Sequence, residues 1–214
     1  MTIKAACYGG QYLSSSRKNW LILCSVGLPV AGFVLFYLNR FGWSDENLLA
    51  TLRLTARLAF LAYLVVFIAR PLRQLIKTPI TAWLLQERRS MGLSMAAIHI
   101  VHMVLIVYRA THSPEFEYEF PGQLIGSMVY ALMLMMVVTS FDGPARAIGP
   151  LYWRRLHKTG LYALGVAFLS TLLPESREEL FAAERWWFII LTAAAVFIRL
   201  TAYFATHRRK TDRQ

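Results

Sequence analysis

The sequence predicts an all-α polytopic membrane protein: a six-transmembrane-helix bundle with both termini on the inner side (N-in/C-in). Three observations predict it. Of the 214 residues, 57% are hydrophobic and only 16% charged, whereas a soluble domain is about a quarter charged. The apolar residues fall in runs of about 20, long enough to cross a bilayer as helices, which satisfy their own backbone hydrogen bonds in lipid. The charges, finally, are sorted by side.

The six spans fall at about 20–38, 53–69, 91–109, 122–140, 157–173 and 186–206. The first starts too deep in the chain, and lacks a small-x-small pattern after it, for a cleaved signal peptide. It follows a short polar N-terminal arm, residues 1–19. The third opens after Arg88-Arg89 and the fifth after Arg154-Arg155, and the sixth runs into a basic tail at 207–214. The spans and their short loops, 20–206, read as one domain without repeats.

Charge sets the orientation. Segments 1–19, 70–89, 141–158 and 207–214 hold 3, 5, 4 and 4 Lys or Arg, 16 of the 23. The other side holds Arg40, Arg109, Arg177 and Arg185, and nine of the 12 carboxylates, among them Asp45, Glu46, Glu115, Glu117 and Glu119. Cationic loops stay inside. The net charge of +11 therefore reflects orientation and contact with anionic membrane lipids. Nucleic acid is excluded as a partner, because no soluble basic face exists to read it. Cys7 and Cys24 fall on the inner side and within the first span, so no disulfide is expected. No Gly-rich dinucleotide fingerprint follows a strand, so any flavin or nicotinamide chemistry must come from elsewhere.

Histidine in a membrane helix needs a partner. Of the five, His112 lies in an outer loop and His207 at the start of the tail, which leaves His99, His102 and His157. His102 is 13 residues past Arg89, about 20 Å deep by helical rise, and His99 sits one turn earlier on nearly the same face. Either these bind a heme iron, or they hydrogen-bond a Ser, Thr or Tyr on another helix. His157 lies just inside the fifth span, where it serves an inner heme or reaches the headgroups beside Lys158. Arg53 and Arg57 share one face of the second span and suit an anion such as heme propionate, lipid phosphate or an outer carboxylate. Arg199 in the sixth span reads as a snorkelling cation. Met128, Met133, Met135 and Met136 read as packing. The run Glu115-Phe116-Glu117-Tyr118-Glu119 is a solvated loop or a partner's docking point.

The arginine pair with Gly92-Leu93 before His102, Thr139-Ser140, the Gly149-to-Trp153 spacing, and Trp153-Arg154-Arg155-Leu156-His157-Lys158 followed by Tyr162 resemble the ferric-reductase-like transmembrane domain. Within that family they are most similar to the MsrQ branch, the heme-binding membrane subunits of bacterial methionine sulfoxide reductase systems. The resemblance spans about 53–173. It implies b-type heme between the third and fifth spans, ligated from His102 and His157, in a bacterial inner-membrane protein. It further implies electrons passing from a cytoplasmic flavin or quinol (quinone) donor to an outer acceptor, with a periplasmic or membrane redox subunit as partner. The family carries a further histidine 13 residues after the position of His157, and here that position is Ser170. Ser170 lies about 22 Å beyond Arg155 by helical rise, level with His102, and serine is a poor axial ligand. Three arrangements follow. The iron is five-coordinate on His102; or heme is held in a shifted geometry through His99 or His157; or the scaffold has lost heme and serves as a structural or assembly subunit of a larger membrane complex.

Overall fold

The computed structural model describes residues 6–114, 116, 120–172 and 183–211. Its described elements are all helices: α1 Ala6–Phe41, α2 Asp45–Leu75, α3 Pro79–Gln86, α4 Arg88–His112, α5 Phe120–Val138, α6 Asp142–Leu172 and α7 Ala183–Thr211. The polar arm is continuous with the first span, since α1 starts at Ala6.

Capping chemistry accounts for the breaks. Ser44 caps α2, accepting from the Asn47 amide at 3.4 Å, with Asp45 and Glu46 in the first turn, where the helix dipole favours negative charge. Thr78 and Thr81 form a reciprocal capping box at the start of α3, with Pro79 at the first helical position. This short helix turns the chain from the end of α2 into α4.

Four helices are long and apolar enough to cross a membrane alone: Arg17–Phe41, Asp45–Leu75, Arg88–His112 and Trp186–His207. Gly122–Val138 and Asp142–Ser170 pass only together, as a pair bent by 110°. By length and composition the described residues thus hold four to five candidate spans, where six were expected. α5 is short, at 19 residues, and the first half of α6 carries Arg146, Arg154, Arg155 and Lys158, with Gly149 breaking its helical path.

α4 packs along α1 and α2, α2 along α7, and α5 along α6. In lipid, tight van der Waals packing between helices replaces the hydrophobic drive. The central cluster joins Phe60 and Tyr63 of α2 with Met95 of α4, Met133 of α5, Phe168 of α6 and Phe188 of α7. Small residues permit the closest approaches: a β-carbon on Gly160 would strike Met136, and one on Gly165 would strike Tyr63. At the acidic end, Arg109 of α4 forks onto Asp45 of α2 at 2.6 and 2.9 Å, and Ser113 donates to the same carboxylate at 2.6 Å. Large apolar side chains such as Phe36 and Phe197 remain exposed, a surface compatible with lipid contact.

Candidate cofactor site

The α5–α6 hairpin touches α4 at few points, and a cavity of about 1080 Å³ lies between them, closed further by α2 and α7. Gly92 and Ala96 of α4 keep that wall small, and nothing lies within 4 Å of where a β-carbon on Gly92 would sit. The floor is apolar, with Leu93, Met95, Met133 and Leu164. Arg70, Arg88, Arg89, Arg154, Lys158 and Arg199 line it, and among the described residues no Asp or Glu does. One histidine is on the wall: His157.

One of those arginines is placed by a proline, and a second sits beside it. Pro71 lies inside α2 and has no amide to offer the Phe67 carbonyl four residues back. Arg199 fills the vacancy, donating to Phe67 O at 3.1 Å and to the Tyr162 hydroxyl at 3.0 Å, with its guanidinium 4.2 Å from the Phe67 ring centroid. Arg88 donates to the neighbouring Val66 carbonyl at 3.2 Å. The Pro71 turn of α2 is thereby tied to α4, α6 and α7. An unpaired buried carbonyl costs about 1–3 kcal/mol, so Arg199→Met should destabilise by that order. In a Pro71→Ala background the restored amide takes Phe67 O, and the same substitution should cost less. A double-mutant cycle of thermal unfolding in detergent measures the coupling, and strict additivity would refute the link.

The residues around His157 form one knot at the basic end. The Thr139 hydroxyl donates to Met135 O at 2.7 Å, which leaves its oxygen to accept from His157 Nε2 at 3.1 Å. The Trp153 indole donates to Thr139 O at 2.9 Å and stacks on the His157 ring at 4.2 Å between centroids. Asn19 of α1 donates to Ser140 O at 3.0 Å in a buried position. With its proton on Nε2, His157 presents Nδ1, which has no hydrogen bond among the described residues, as its lone pair.

His102 lies outside the cavity lining. Its Nδ1 meets Thr55 Oγ1 of α2 at 2.8 Å, and the Thr55 hydroxyl donates to Thr51 O at 2.9 Å. The proton therefore sits on Nδ1, and Nε2 has no hydrogen bond among the described residues. His99 faces the other way, its ring 5.6 Å from Tyr130 and 5.2 Å from Phe168, edge-on, and its buried Nδ1 has no hydrogen-bond partner among the described residues. His99 and His102 are neighbours at 5.7 Å between centroids. His102 and His157 share no cavity. Ser170 is exposed and donates to Ala167 O at 2.9 Å. On α6 it is Phe168 that meets the histidine level of α4. Arg53 is exposed and Arg57 half-buried, and neither lines the cavity. His112 is exposed and held by Thr111 and Tyr108, and His207 stacks on Tyr203. Met128 and Met135 are exposed, whereas Met133 is buried and Met136 lines the cavity. Most of the acidic loop lies outside the described residues. Among the described residues, no group of three or more His, Cys, Asp or Glu could hold a bare metal ion.

Sequence reasoning missed Arg70 and Arg88 as cavity residues, and gave Arg199 a surface role. One available signal was Pro71: a proline inside an apolar span frees the carbonyl four residues before it and asks for a donor.

These helices define a polytopic membrane protein with a cofactor-sized, cationic cavity walled by two histidine-bearing helices. Its residues 53–169, more than half of the chain, match the ferric reductase like transmembrane component, and the protein belongs to that family. The match covers most of α2 and α6 and all of α3, α4 and α5. Membership of that family supports a membrane redox, electron-transfer role. Neither a curated protein nor a solved structure matches the chain.

The cavity suits a b-type heme. It offers an imidazole with a free nitrogen, a glycine–alanine wall opposite, an apolar floor, and cations for two propionates.

Proposed function

We propose that the protein carries electrons across a bacterial inner membrane through b-type heme held between α4 and α6. The observation that carries this reading is the cavity itself, cationic at its rim, apolar at its floor and walled by His157. Heme iron supplies one-electron chemistry, and the protein sets its potential through axial ligation and burial. His157 is the protein's imidazole on the wall, Gly92 and Ala96 leave the opposite face open, and Arg154 and Lys158, on the same helix as His157, answer the carboxylates. His102, with Nε2 free, is the candidate donor for a deeper position, and His99 is its neighbour; Arg53 and Arg57 would meet propionates only at that level.

The basic end faces the cytoplasm, as the excess of Lys and Arg favours. α5 and the part of α6 from Pro150 each cross the membrane, which makes six spans with both termini inside. Antiparallel pairing of Thr139 with Trp153 and His157, and of Met136 with Gly160, supports that hairpin. Electrons enter from a cytoplasmic flavin or a quinol and leave to an outer acceptor on a redox partner subunit. The Thr139–Trp153–His157 knot favours the MsrQ branch of the family.

A second reading has its own observation. His102 is satisfied by Thr55, and His157 by Thr139, so both also work as interhelical ties in a heme-less structural or assembly subunit. An absorption spectrum of detergent-purified protein, oxidised and dithionite-reduced, decides between the two. A Soret band with b-type reduced bands, and a pyridine hemochrome near one heme per chain, is expected. A colourless, folded protein co-purifying with other subunits would replace the redox reading with the structural one.

A further inference from the structure

The cavity holds more positive charge than heme removes. Arg89 pairs with Asp142 at 3.2 Å. Six lining cations less that one leaves five, and two propionates would still leave three. Three arginines of the lining stand together: Arg70 of α2 and Arg199 of α7 lie close enough to Arg88 of α4 to repel it. Arg88 and Arg199 hydrogen-bond carbonyls and a hydroxyl, which orient them but cancel no charge. Arg70 is exposed and has no hydrogen bond or ion pair among the described residues. Such a cluster in a half-enclosed, apolar-floored space calls for an anion with several acceptor oxygens.

The cavity's exit says which anion. α6 and α7 scarcely touch, and at this level the bond from Arg199 to Tyr162 bridges them. Beside it the wall is Val196, Leu200 and Tyr203 of α7. Val196, Leu200 and Tyr203 are exposed, an apolar outer surface beside the cations that suits an acyl chain beneath a charged headgroup.

We propose that an acidic phospholipid is bound in the α6–α7 opening, its phosphate on Arg70, Arg88 and Arg199 and its chain against Val196 and Leu200. The proposal rests on the redox reading for the share of charge given to heme. Its test reads lipid and pigment separately. Full-length protein is stripped of lipid in detergent and given vesicles of phosphatidylglycerol, vesicles of phosphatidylcholine, or inorganic phosphate alone. Thermal unfolding and native mass spectra are recorded, with pyridine hemochrome in parallel.

Phosphatidylglycerol should raise the unfolding temperature and add one lipid mass per chain, and phosphatidylcholine should do neither. Arg70→Gln is the informative variant, because Arg70 holds no other group and its loss leaves the fold intact. It should weaken phosphatidylglycerol binding about fivefold, the worth of one cation near an anionic headgroup, with heme content unchanged. Equal response to both lipids, or no effect of Arg70→Gln, would overturn the proposal. So would protection by phosphate alone, which would make the ligand a free anion. Loss of heme in Arg70→Gln would also overturn it, by giving these arginines to the propionates. A colourless protein that still binds phosphatidylglycerol through Arg70 would sink the redox reading and leave the lipid site standing.

Discussion

Gly149→Val should destabilise the protein by about 1–3 kcal/mol, the usual cost of forcing a side chain into glycine-only backbone space. Gly149 has φ 74° and ψ 164°. That region is closed to residues with a β-carbon, and a β-branched side chain is the worst fit. Pro150 follows, so the backbone cannot relax into helix at this point, because proline disfavours the α region in the residue before it. The kink redirects α6 from Asp142–Ile148 to the long segment ending at Leu172. It thereby sets the rotation at which Trp153 and His157 arrive at Thr139. Thermal unfolding in detergent measures the loss, and Gly126→Ala is the control. Gly126 is mid-helix in α5 with open space around it, so alanine there should be neutral or stabilise by about 0.5–1 kcal/mol through helix propensity. A Gly149→Val protein as stable as wild type would mean that the kink is incidental.

The fold was largely legible because bilayer thickness and backbone hydrogen bonding leave few choices. The four straightforward spans coincide with α1, α2, α4 and α7. The ambiguity is confined to α5–α6, where cations and Gly149-Pro150 interrupt the apolar run.

The site was only half legible, and the failure has a definite cause: depth along a helix was read without rotation about it. At about 100° per residue, Ser170 lies about 140° around α6 from His157, whereas Phe168 lies within about 20° of it. Position 170 is therefore turned away, and Phe168 takes the inward place. On α4, Gly92, Ala96 and His99 fall on one stripe toward the hairpin, and His102 is about 80° from Gly92, which brings it to Thr55 of α2. No spacing argument finds Arg199 or Arg88 as cavity residues, because their partners are carbonyls of another helix, Phe67 O, freed by Pro71, and Val66 O beside it.

That rotation makes the two histidines separable by experiment. His157→Ala should remove the pigment, since among the described residues the cavity wall then offers no imidazole. It should also cost stability, because Thr139 loses its partner and Trp153 its stacked ring. His102→Ala should keep the pigment and cost about 1 kcal/mol, the usual worth of a hydrogen bond between membrane helices, through the lost tie to Thr55. Hemochrome content reads the first effect and unfolding temperature the second, so a misfolded variant is not mistaken for an unligated one. His157→Gln refines the contrast: it can keep a hydrogen bond to Thr139 but is a poor iron ligand, so it should fold like wild type and still lose the b-type spectrum. The opposite pattern, with pigment lost in His102→Ala and retained in His157→Ala, would move the iron to the Nε2 of His102. Heme would then need the space where Tyr130 and Phe168 now pack against His99, and the hairpin would have to open on binding. The choice between a preformed cavity and one that heme must pry apart therefore turns on which of these two alanine variants is colourless.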